Sequence, residues 1–144
     1  MNVVLQSVKE FHHKYPGTIG FRKRAHCKIA AKHLEKDETI KLAFVAQKND
    51  SAFDIITSCV FVLTNKRLLM AKNRLLFGYM IFVVTPELFN DFTVTKRLIW
   101  GKLHIDTVNE QIYVSKLSPS ALPTISKEVS DLMVKAKKRM MENK

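Results

Sequence analysis

The chain has 144 residues, 47% of them hydrophobic and 26% charged, the composition of one folded domain with a conventional core and not of a disordered polypeptide. Its formal net charge of +11 favours anionic partners without choosing among them. Only two cysteines, Cys27 and Cys59, are present, in no paired framework, so both are expected as reduced, buried thiols.

The N-terminus carries neither a basic leader nor a long apolar segment with a small-residue cleavage site, so export is not expected and a cytoplasmic location is. Residues Val3 to Tyr15 read as a short helix ended by Pro16-Gly17. From Phe21 to Glu35, the residues Cys27, Ala30, Ala31 and Leu34 recur at i, i+3, i+4 and i+7 and predict a second helix. Arg22, Lys23, Arg24, Lys28 and Lys32 make its basic flank and are the candidate anion-binding residues. Within Met1 to Lys36, eight basic side chains stand against two acidic ones. Residues 1–36 are therefore read as a basic helical extension and residues 37–144 as the main domain.

After Asp37-Glu38 the period changes to two. Ile40, Leu42, Phe44 and Ala46 alternate with their neighbours and predict a first strand. Gln47 to Ser51 reads as a hairpin tip. Phe53 to Leu63, apolar on both faces and rich in β-branched and aromatic residues, predicts a long central strand. Thr64-Asn65-Lys66 is a tight turn into Arg67 to Ala71. A fourth strand runs from Tyr79 to Val84, and Thr85-Pro86-Glu87 interrupts it because proline cannot donate into a ladder. Phe92 to Ile99, Lys102 to Thr107 and Gln111 to Lys116 complete about seven strands.

Beyond Ser118-Pro119-Ser120 the apolar positions Ile125, Val129, Leu132, Met133, Ala136 and Met140 draw one helical face, with Ser120 or Thr124 as its expected cap and Lys135 to Arg139 near its end. Strands in series followed by a helix predict an α+β design with an antiparallel sheet. The longest nearly uncharged stretches, Ala52 to Thr64 and Leu75 to Thr85, fall short of the ~20 apolar residues a spanning helix requires.

Chemistry-bearing motifs are sparse. His12, His13, His26 and His33 lack metal-ligand spacing and are read as solvated histidines, and His104 is placed on the outer side of its strand. With four glycines in the chain and no Gly-x-Ser-x-Gly elbow or Gly-rich phosphate loop, neither catalytic residues, a metal nor a cofactor is expected, and an enzyme is disfavoured.

Three phrases, Asp37-Glu38-Thr39-Ile40, Phe61-Val62-Leu63-Thr64-Asn65-Lys66-Arg67-Leu68-Leu69 and Gly101-Lys102-Leu103-His104-Ile105, resemble the bacterial pleckstrin-homology-like (PH-like) domains, most closely the YokE-like group. The resemblance covers about Asp37 to Met140. It implies a strongly bent antiparallel sheet or partly open barrel of seven strands, with a C-terminal helix plugging one end. The sequence departs from it at Pro86 to Asn90. PH-like barrels host lipid, peptide and protein binding, so the fold does not fix the ligand.

Two partner classes follow. In the first, open sheet edges and exposed aromatics, with Trp100 and Tyr79 as candidates flanked by Phe82 and Phe89, bind a protein or a further copy of the chain as a homo-oligomer. In the alternative, the basic N-terminal helix and the Lys135 to Arg139 cluster bind an anionic membrane surface or nucleic acid. The first hairpin tip, with one lysine and one acid, lacks the basic cluster of lipid-reading PH domains. No small-molecule substrate is inferred.

Overall fold

A computed structural model of the chain describes residues 2–16, 23–48, 58–74, 78–108 and 110–142. Helices α1 (Val3–Lys14) and α2 (Lys23–His33) precede seven strands: β1 (Ile40–Lys48), β2 (Ser58–Thr64), β3 (Leu68–Asn73), β4 (Tyr79–Val84), β5 (Phe89–Lys96), β6 (Gly101–Thr107) and β7 (Gln111–Leu117). A long helix α3 (Leu122–Glu142) closes the chain. The strands form one antiparallel sheet in the order β4-β3-β2-β1-β7-β6-β5. The α+β class, the strand count and the two terminal helical regions agree with the sequence reading.

The two-residue period explains the sheet's two apolar faces. Phe44, Ala46, Cys59, Phe61, Leu68, Met70, Leu103, Ile105, Ile112 and Val114 point to one side, where α3 covers them with Ile125, Val129, Leu132 and Met133. Ala43, Val45, Val60, Val62, Leu69 and Ala71 point to the other side, against Val4 and Val8 of α1 and Cys27, Ile29 and Ala30 of α2. Every residue of β2 is buried because helices lie on both of its faces. Residues 53–57 of the predicted central strand lie outside the described residues.

Helix α1 also closes a seam. Among the described residues, β1 and β7 pair at Gln47–Ser115 and Lys48–Val114 only, and no strand pairs with the earlier part of β1 on that side. Phe11 enters there and stacks on Phe44, which stacks on Phe61, with ring centroids 5.1 and 5.3 Å apart. His12 Nε2 accepts the Val45 N–H at 3.3 Å, and the Tyr15 and Thr124 hydroxyls lie 2.7 Å apart, joining the end of α1 to α3.

Several expectations shift in detail. β5 begins at Phe89, not Phe92, because Pro86–Leu88 forms a 3-10 turn that delivers Phe89 into the core, and it ends at Lys96, so Leu98 and Ile99 are turn residues. Gln47 belongs to β1 and is buried instead of forming a hairpin tip, whose Asn49 to Ser51 lie outside the described residues. Thr124 lies inside α3, and Ser120 sits in the 3-10 turn Pro119–Ala121 with its hydroxyl against that of Ser118, so neither matches the expected cap. The side chains of Ala136 and Met140 fall outside those described.

Candidate functional site

The most distinctive phrase of the sequence builds a polar latch. Thr64 N–H donates to the Arg67 carbonyl across Asn65-Lys66, and the Thr64 hydroxyl accepts the N–H groups of Lys66 and Arg67 at 3.1 Å. Arg67 lies against the fully buried Glu38 carboxylate, 2.7 Å from Nη2 to Oε1, and donates its other bond from Nη2 to the His33 carbonyl at 2.8 Å. Thr64 Oγ1 donates to Glu38 Oε2 at 2.6 Å. Lys66 pairs with Asp37 and Glu35 at 2.6 and 3.1 Å. The latch ties the end of α2 and the α2–β1 linker to the β2–β3 hairpin. Burial alone raises the Glu38 pKa, but hydrogen bonds from Arg67, Thr64 and the Glu35 N–H outweigh it, and the net shift is downward.

The predicted basic flank is only partly assembled. Arg24, Lys28 and Lys32 are exposed and follow one another at four-residue spacing, opposite the face that buries His26, Cys27 and Ala30. Lys23 stands apart from them, half-buried, and its charge acts on His12 and Cys27. Arg22 lies outside the described residues. Lys135, Lys137, Lys138 and Arg139 are exposed along α3.

The histidines are not uniformly solvated. His26 is buried, and its Nδ1 accepts the Asn73 N–H at 3.0 Å, so it serves the sheet. His12 is half-buried; burial first, and Lys23 second, lower its pKa from 6.5 to about 4, consistent with a neutral ring accepting from Val45. His104 stacks on Tyr113 with ring centroids 4.5 Å apart, on the outer side of β6 as expected. Cys27 and Cys59 are buried in the cores on opposite faces of the sheet, and burial pushes the Cys27 thiol up to about 11.

The two candidate aromatics lie on different strands with different neighbours. Tyr79, 52% exposed, begins β4 with its ring edge-on to that of His33, 5.5 Å between centroids. Met80 and Val83 of the same strand are also exposed. Phe82 packs against the core and Phe89 is buried, so neither extends a surface patch, contrary to the sequence reading. β4 is the last strand of the sheet at that end and pairs only with β3 among the described residues.

Trp100 sits in the β5–β6 turn, beneath the Lys116 ammonium at 4.1 Å from its ring centroid. A bulge creates that contact. Gly101 pairs with Leu117 and Leu103 with Val114, so Ser115 and Lys116 together oppose Lys102. Lys116 has φ 64°, the left-handed backbone that the extra residue requires. Gly101 is held close to α3: a Cβ there would lie 2.5 Å from Leu122 Cδ1. Between turn and bulge lies an open groove of about 440 Å³, lined in part by Trp100, Lys102, Ser115 and Lys116. Sequence reading missed Leu98, Ile99 and Lys116 because apolar residues continuing a strand pattern give no local sign of a turn fixed by a bulge on the neighbouring strand.

Among the described residues, no three His, Cys, Asp or Glu side chains are placed to hold a metal ion, and no helix is long and apolar enough to cross a membrane. A search of curated proteins finds no match to this chain. A family model described as "Bacterial PH domain" matches residues 34–131, well over half of the sequence, and includes the side chains of the latch, all seven strands and the first part of α3. PH-like domains are in general non-catalytic modules that bind protein or lipid. With its seven antiparallel strands and closing helix, this chain belongs to the bacterial PH domain family.

Proposed function

We propose that the chain is a non-enzymatic, cytoplasmic module of the YokE-like group that binds another polypeptide by strand addition along β4, a second copy of itself in the first instance. The observation that carries this reading is the β4 edge. Tyr79-Met80-Ile81-Phe82-Val83-Val84 contains no charge and no proline, and it exposes Tyr79, Met80 and Val83. Natural edge strands are usually blunted by lysine, proline or a bulge, and an unblunted one is a template for pairing. The other terminal strand, β5, carries Asp91 and Lys96. Two buried cysteines on opposite faces of the sheet support a reducing compartment. In this reading the binding surface belongs to residues 37–144, and residues 1–36 are a basic helical extension that packs on the sheet.

Light scattering on the full chain across a concentration series tests it. A defined oligomer that becomes monomeric in Y79K/V83K, with the thermal midpoint retained, is expected. A wild-type chain that stays monomeric throughout, or an oligomer indifferent to both lysines, contradicts it.

The Arg24, Lys28 and Lys32 row favours a second reading, electrostatic binding of an anionic surface or nucleic acid. Such binding falls steeply as salt is raised and disappears in R24E/K28E/K32E. Binding that survives the triple reversal excludes it.

A further inference from the structure

The β5–β6 turn carries a surface that neither reading uses. Lys96 pairs with Gly101, leaving Arg97-Leu98-Ile99-Trp100 as the connection. Leu98 is 98% exposed and Ile99 67%, so two adjacent aliphatic side chains stand in solvent at the tip of a hairpin. Isolated exposed apolar residues are ordinary, but this pair is bounded by Trp100 and by the cations Lys96, Arg97, Lys102 and Lys116. No carboxylate occurs between Asp91 and Asp106.

We propose that this tip docks the protein on an anionic phospholipid bilayer, with Leu98 and Ile99 entering the acyl region and Trp100 at the headgroup level. The shape favours a leaflet because the apolar residues protrude from a turn, where a soft apolar phase can receive them. The charge is complementary, since lysine and arginine around an apolar point are drawn to the negative surface potential of anionic lipid. Tryptophan prefers the membrane interface, where its ring is half apolar and half wet.

The backbone holds the arrangement in place. Lys116 occupies a left-handed conformation that an L-residue adopts at a cost, and that conformation sets its ammonium over the Trp100 ring. Ser115 beside it is buried, lines the groove, and its hydroxyl has no hydrogen-bond partner among the described residues. The tip involves neither the β4 edge nor the α2 row, so the three surfaces are separable by mutation.

Trp100 is the sole tryptophan, which makes the full chain its own reporter. Vesicles of phosphatidylglycerol and phosphatidylcholine are expected to shift its emission to the blue and to co-sediment the protein, with pure phosphatidylcholine far weaker. L98D/I99D is expected to lose binding by about tenfold or more, since each buried methylene contributes to interfacial affinity. Its thermal midpoint is expected to be unchanged because both side chains are exposed in the free protein. K102E is expected to weaken binding by about fivefold or more, the effect of one juxtamembrane charge. R24E/K28E/K32E and Y79K/V83K are expected to retain the shift. The proposal is overturned if emission does not move on anionic vesicles, if L98D/I99D binds as well as wild type, or if inorganic phosphate alone reproduces the shift. A change of oligomeric state in L98D/I99D without vesicles overturns it equally, by assigning the tip to a protein contact.

Discussion

Glu38 is a carboxylate with no solvent exposure, and it is tolerated because one arginine and one threonine from the opposing hairpin complete it. Removing Arg67 leaves that charge buried and uncompensated, so R67A is expected to lose about 3 kcal/mol or more in chemical denaturation. A loss under 1 kcal/mol would refute the latch. Glu38 titrates below its ordinary value of 4.5, so its contribution is present above that value and is lost as pH falls through the lower folded value. His12 acts in a different window. Its folded value near 4 lies below the ordinary 6.5, so the unfolded chain binds the extra proton and stability declines as pH falls from 6.5 to 4. In H12Q, which keeps an acceptor for Val45, the decline of the denaturation midpoint in the upper part of that interval, above the range where Glu38 titrates, should be reduced; an unchanged slope there contradicts this. Lys116 presents a trade. K116G relieves the left-handed backbone and is expected to gain about 1 kcal/mol while altering Trp100 emission through loss of the ammonium above its ring. Simple destabilisation would contradict it.

At the scale of elements, the sheet has an apolar face on each side, and the N-terminal helices are what make the second face bearable. Val4, Val8, Cys27 and Ala30 cover Val45, Val60, Val62 and Leu69, all buried. Phe11 fills the gap where β7 leaves β1, so F11A is expected to cost about 3 kcal/mol. Loss of residues 1–36 would expose the whole face and is expected to give a chain that binds apolar dye or aggregates; an undiminished midpoint would show that α1 and α2 merely rest on the sheet. Much of this was legible. The two-sided apolar character of β2 marked it as a central strand, and the stripe of Cys27, Ala30, Ala31 and Leu34 is the face that packs, although the stripe alone did not say that it packs on this sheet. What escaped depends on distant strands. Nothing near His26 in sequence signals that its ring meets Asn73, since the basic residues around it suggest solvent. Gly101 marks a turn, but nothing at Leu98 or Ile99 shows that the turn already includes them, because the bulge lies on β7.

For the whole molecule, the +11 charge is dispersed over separate surfaces: the row on α2, the cluster on α3 and the cations of the β5–β6 tip. The sequence total therefore favoured an anionic partner without revealing that exposed apolar residues accompany the α3 cluster, as Val134 and Met141, and the β5–β6 tip, as Leu98 and Ile99. The fold was readable because alternation, turn chemistry and helical spacing are local; the candidate surfaces were not, because exposure is decided by what packs on what. Strand addition at β4 makes a claim about backbone N–H groups that mass action can expose. Hydrogen exchange of residues 79–84, followed as the full chain is concentrated, reads it directly. Those amides that face away from β3 should exchange rapidly in dilute solution and become protected with concentration, while β2 stays protected throughout. Protection of β4 that is already complete in dilute solution, or that never changes, contradicts an open edge that recruits a second strand.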